Sequence, residues 1–125
     1  MRYAGGRVQV TIYHNPKCAK SRATLELLRA RRIEPTIVEY LKTPPTQSQL
    51  DTLLKQLGLE PRALLRTKEP EYKMAGLDDP ALSRSAILGA MIKHPKLIER
   101  PIVVVNNKKA ALGRPPENIL KILKK

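Results

Sequence analysis

The residues with the clearest capacity for chemistry gather around Cys18, the single cysteine in 125 residues. It stands where an alternating apolar segment gives way to a helical one. The first turn of a helix presents unpaired N–H groups and the positive end of the helix dipole, and both favour a thiolate. Lys17, Lys20 and Arg22 add positive charge within one turn. The thiolate is the reactive form of cysteine, so this setting predicts a nucleophile, against the common alternative of an inert buried thiol. The motif runs Cys18-Ala19-Lys20-Ser21. Without a second cysteine it cannot resolve its own mixed disulfide, and it needs a thiol from outside, such as glutathione. Ser21, one turn on, is placed either to donate a hydrogen bond to the sulfur or to serve as an ordinary first-turn serine. His14 precedes the cysteine by four residues and could tune the thiolate or carry a proton. An equally simple role is a bond to local backbone. Arg66, Arg100 and Arg114 stand next to prolines or at the ends of elements. Arginine grips tetrahedral oxyanions through forked, charge-assisted hydrogen bonds, although a solvated surface arginine is the usual fate. Arg100, just before an apolar strand, sits in a loop that could face the start of the first helix.

The rest of the composition narrows the options. Lys and Arg number 24 against 11 Asp and Glu, a net charge of +13. Such a chain attracts anions. Four Tyr with no Phe and no Trp offer few stacking platforms for single-stranded nucleic acid, so no nucleic-acid partner is expected. One cysteine and two histidines exclude a disulfide framework and an all-cysteine metal site, and no metal is expected. The longest apolar runs, such as Ile102–Val105, are too short to span a membrane. The first residues lack the apolar stretch of a signal peptide. A cytoplasmic chain in a reducing compartment is the expectation.

The elements that must position these groups follow from periodicity. Val8, Val10 and Ile12 alternate with polar residues, predicting a strand over about 7–13. His14-Asn15-Pro16-Lys17 breaks it, and a helix follows from Cys18 to about Arg31. Thr36–Tyr40 reads as a second strand. Thr46 and Gln49 have capping-box spacing, Leu50, Leu53, Leu54 and Leu57 form a stripe, and Gly58 ends it, predicting a helix over 47–57. A short helix opens at Pro61, residues 67–80 read as an exposed connection, and another helix covers about Ala81–Lys93. Its end, at His94, suits a histidine near a helix C-terminus, and no catalytic role falls to it. Ile102–Val105 is a strand, Asn106–Lys109 a hairpin turn, and Ala110–Leu112 its weak partner. A last helix starts at Pro116. A strand pair joined by a helix should be parallel, and one joined by a tight turn antiparallel. The order βαβ, helical block, ββα predicts an α/β chain with a small mixed sheet, the element order of a thioredoxin-like fold. It is expected to be a single domain, 1–125, with a helical insertion at about 44–98.

Four segments in register resemble the glutaredoxin-coupled arsenate reductase family: His14-Asn15-Pro16-Lys17-Cys18 with Ser21-Arg22, Tyr40-Leu41 with Thr43-Pro44-Pro45, Arg62–Arg66, and Arg100–Val104 through Gly113-Arg114-Pro115. The resemblance spans about Val10 to Leu123. It implies a thioredoxin-like core with an inserted helical block and reduction of arsenate to arsenite. By that resemblance Cys18 attacks arsenate, and Arg66, Arg100 and Arg114 hold the oxyanion. Glutathione, a co-substrate, then attacks the arsenylated sulfur, and glutaredoxin clears the mixed disulfide. No cofactor stays bound. His14 and Ser21 match positions that support the thiolate, and Pro101 matches a cis-proline beside the site. The chain departs from the family pattern in Lys108-Lys109, in a longer Arg100–Arg114 spacing and in an extension before Val8. Two other activities fit the same fold. One is a glutathione-dependent thiol-disulfide reductase without arsenate activity, and the other is a non-catalytic RNA-polymerase-binding regulator, which typically carries a Cys-x-x-Cys that this chain lacks.

Overall fold

The computed structural model describes residues 8–123. The chain divides into two compact units: one takes the described residues up to Glu39 together with those from Arg100 onward, and the other is Tyr40–Glu99.

The first unit holds the whole sheet. Its elements are β1 (Val10–Tyr13), α1 (Ala19–Ala30), β2 (Thr36–Val38), then β3 (Ile102–Val105) and β4 (Lys109–Leu112) from the C-terminal part. Strand order is β2-β1-β3-β4. β2 runs parallel to β1, while β3 pairs antiparallel with both β1 and β4. The expected parallel and antiparallel pairs are both present, and the sheet is mixed as the element order implied. Central β3 is buried along its length, which its unbroken run of β-branched residues matches. β2 stops at Val38, short of the Tyr40 that its composition suggested, and Thr36 and Ile37 on this edge strand are exposed. β1 begins at Val10, and the predicted strand's first residue, Arg7, lies outside the described residues. Asn106 and Asn107 both take positive φ, 53° and 58°, so the β3–β4 turn is of the primed kind that matches strand twist.

Ile12 and Val103 point to the α1 side of the sheet, meeting Leu25 and Leu28 of the helix. Ile119 and Leu123 close the same core from the C-terminal segment. That segment starts as a 3-10 turn, Pro116–Ile119, and becomes the single α-turn α5 (Leu120–Leu123), shorter than its apolar stripe suggested.

The second unit is helical: α2 (Gln47–Leu57), α3 (Pro70–Met74) and α4 (Arg84–Lys93), with 3-10 turns at Pro61–Leu64 and Pro95–Leu97. α2 has the predicted ends. The Thr46 side chain accepts the Gln49 N–H, the Gln49 side chain accepts the Thr46 N–H, and Gly58 closes the helix at φ 70°. Residues 67–80 are not wholly a connection, because Pro70 opens the short α3. A proline at the first helical position costs nothing in hydrogen bonding there. α4 starts three residues later than expected because Ser83 caps it, accepting the Ala86 N–H at 3.1 Å.

Thr46→Ala should therefore destabilise the helical unit by about 1 kcal/mol, the usual value of an N-cap side chain. In urea unfolding the midpoint should fall without a change in slope. An unchanged midpoint would mean that the cap contributes nothing.

Candidate active site

The loop between β1 and α1 is shaped by its own side chains. Asn15 Oδ1 accepts the Lys17 N–H at 3.0 Å, and its carbonyl accepts the Cys18 N–H at 2.9 Å. Arg22 reaches back to donate to the Pro16 carbonyl at 2.9 Å. His14 is tied to β2 by its backbone, donating to Val38 O at 2.9 Å. These bonds deliver Cys18 to the N-cap of α1 with extended backbone, φ −95° and ψ 124°. No side chain caps the helix there, so the sulfur itself occupies the place where a capping oxygen would sit.

The Cys18 thiol is half-buried and its pKa is lowered. Burial is the largest single influence and raises it. The backbone N–H of Ser21, the Arg100 guanidinium as hydrogen-bond donor and as charge, and the backbone N–H of Lys20 all lower it, and together they prevail. The side-chain charges of Lys17, Lys20 and Arg22, expected from sequence to act on the sulfur, are not among these influences. All three side chains are exposed, and solvated charges are screened. The work falls to helix N–H groups and to one arginine from a distant part of the chain.

Arg100 precedes β3, as the sequence suggested. Its Nε is buried without a hydrogen-bond partner in the protein. The Arg100–Pro101 peptide is cis, as the resemblance implied, and a second cis bond lies at Arg114–Pro115. Arg114 Nη1 donates to the Arg100 carbonyl at 3.1 Å, so these two arginines are linked directly. Arg66 belongs to the helical unit. Its Nε pairs with Glu69 at 3.3 Å and its Nη1 with Glu99 at 3.1 Å. Two carboxylates thus orient that guanidinium while its Nη2 is outside both pairs.

Ser21 corrects one sequence expectation. Its hydroxyl lies 2.6 Å from His14 Nδ1 and accepts the Asn15 N–H at 3.0 Å, while its backbone N–H is the group that faces the sulfur. A first-turn side chain points back toward the helix start, and here the buried imidazole meets it first. His14 is almost fully buried, 5% exposed. Burial depresses its pKa, with Arg29 and Arg22 adding to the effect and Glu39 opposing it, which favours the neutral ring. Two residues of this site were missed. Thr24, fully buried, donates to the Lys20 carbonyl at 2.8 Å. Gly113, which from sequence stood only within the segment carrying the family resemblance, packs against it. Thr24 stands on the buried stripe of α1, one turn after the cysteine turn, which is the signal that could have marked it.

Among the described residues no helix is long and apolar enough to cross a membrane, and no group of three potential metal ligands occurs.

A four-stranded mixed sheet of thioredoxin-like fold, with its one cysteine, of lowered pKa, at the first strand–helix junction, places the molecule in a class of single-cysteine α/β proteins. Comparison with known proteins narrows that class. The model of the ArsC family matches residues 13–122. The chain is 49% identical over 116 residues to an arsenate reductase of Neisseria meningitidis (serogroup A), covering 92% of this chain and 98% of that protein. It is 53% identical over 116 residues to the uncharacterized protein YfgD of Escherichia coli K12, covering 92% and 97%. A solved structure, an arsenate reductase from Vibrio cholerae, superposes with a TM-score of 0.90 at 52% identity, covering 94% of this chain and 99% of that one. The chain belongs to the ArsC family.

Proposed function

We propose that this protein is an arsenate reductase that draws its electrons from glutathione and glutaredoxin. The observation that carries the reading is the setting of Cys18, a lone thiol at the N-cap of α1 whose pKa is lowered by two helix N–H groups and Arg100. Relatives named arsenate reductase at 49% identity support the substrate.

The Cys18 thiolate attacks As(V), a sulfur–arsenic bond forms, and an arsenate oxygen leaves as water after protonation. Arg100 and Arg114 stabilise the oxyanion as charge shifts onto its oxygens, and the family resemblance gives Arg66 the same task. A glutathione thiolate then attacks the Cys18 sulfur. The sulfur–arsenic bond breaks with its electron pair left on arsenic, which is reduced to As(III) and departs as arsenite. Cys18 and glutathione remain joined as a disulfide. A glutaredoxin thiol takes the glutathione and returns the Cys18 thiolate. The outside thiols are required because the chain has no second cysteine with which to resolve the intermediate.

Arsenate-dependent NADPH consumption, coupled through glutathione, glutathione reductase and glutaredoxin, tests this. Omitting either arsenate or glutaredoxin should return the rate to background. Arsenate-independent turnover of a glutathionylated peptide, with no competition by arsenate, would overturn the reading in favour of a general thiol-disulfide reductase.

A further inference from the structure

Gly113 follows β4 and is buried. Its N–H donates to the Pro101 carbonyl at 3.0 Å, and the next residue, Arg114, donates to the Arg100 carbonyl at 3.1 Å. This two-residue segment therefore grips both carbonyls of the Arg100-Pro101 unit. The other side of Gly113 meets α1. A methyl group on Gly113 would be driven into the Thr24 hydroxyl, and would stand 2.8 Å from Pro101 Cγ and 3.1 Å from Thr24 Cγ2. Its backbone is not in the left-handed region, so the glycine is required by space alone.

The neighbours cannot easily give way. Thr24 is fully buried, and its hydroxyl is committed to the Lys20 carbonyl at 2.8 Å. Turning it aside breaks that bond inside the protein, where an unpaired group costs more than the bond itself contributes. Pro101 is a buried rigid ring. Relief must come from moving the first turn of α1 or the Gly113–Arg114 segment. The former carries the Lys20 and Ser21 N–H groups, and the latter carries the grip on Arg100.

We propose that Gly113 and Thr24 are positioning residues for Cys18, their close contact holding the helix donors and the linked Arg100–Arg114 pair in register around the sulfur. The inference rests on Cys18 as the reacting group of the proposed function, but its test needs no arsenate, so failure of one does not entail failure of the other.

The single cysteine makes the readout unambiguous: the rate of iodoacetamide alkylation against pH reports the Cys18 thiolate. Gly113→Ala, still folded by circular dichroism, should move the midpoint up by about one unit, which is about tenfold slower alkylation well below it. Adding Thr24→Ala, which removes the hydroxyl and the methyl that a new Cβ would strike, should restore roughly half of the shift or more, the non-additivity of groups in contact. A folded Gly113→Ala protein with the original midpoint overturns the proposal, and so does a double variant with no recovery. Thr24→Val stands independently of whether Gly113→Ala folds. It puts a bulkier methyl against Gly113 in place of the hydroxyl, so its midpoint should also rise, and an original midpoint would overturn the proposal.

Discussion

Cys18→Ser should abolish arsenate turnover, not merely slow it. A serine hydroxyl is not ionised near neutrality by two N–H groups and an arginine, so the attack on arsenic loses its nucleophile. Removal of a nucleophile from a comparable catalytic unit costs about 10⁴-fold or more. The second step fails for a separate reason: reduction requires the outside thiol to bond to the attacking atom while arsenic keeps the electron pair, and an alkoxide oxygen is not displaced in this way by sulfur. The substitution changes little volume at a half-buried site, so the fold should survive. Residual turnover within tenfold of the original would refute Cys18 as the reacting group.

The second large effect is expected at Arg100. Arg100→Ala removes both a hydrogen bond and a positive charge that lower the Cys18 pKa, leaving burial with less opposition. The midpoint for thiolate formation rises, and at any pH well below the original midpoint the thiolate population falls about tenfold for each unit of that rise. Loss of an oxyanion donor adds a further factor of about 10²–10³, the scale of removing one such group. The two parts separate by pH. Raising pH through the new midpoint should recover the thiolate share and leave the oxyanion share missing. Arg100→Lys should hold the pKa closer to its original value, since the charge stays, yet still lose the forked grip. The same sign applies to folding. A depressed thiol pKa adds stability above the ordinary cysteine value, and that stability is lost as pH falls through the lowered one. Arg100→Ala should therefore flatten the pH dependence of stability in that window. An Arg100→Ala protein with an unshifted alkylation midpoint would remove Arg100 from the activation of Cys18.

Much of this was legible from local signals. The Thr46–Gln49 box and Gly58 bounded α2 because caps are read over three or four residues. The paired asparagines marked the β3–β4 turn because few other residues tolerate φ near 53° and 58°. The junction of strand and helix placed Cys18 at a helix start. Local pattern was weaker where tertiary contacts decide an end: β2 stopped early, and the last helix shrank to one turn after a 3-10 turn; the start of α4 was missed despite a local signal, the Ser83 cap.

The lone cysteine at a helix N-cap was determined by sequence alone, since it follows from residue identity and short-range geometry. What tertiary structure decided is which groups act on that sulfur. The nearby lysines looked sufficient, but their charges are exposed and screened. Arg100, far along the chain, reaches the sulfur because β3 lies beside β1 in the sheet. Ser21 gives its hydroxyl to buried His14 and its backbone N–H to the sulfur. Gly113 matters for the side chain it lacks, because a close approach between distant segments exists only once the chain has folded.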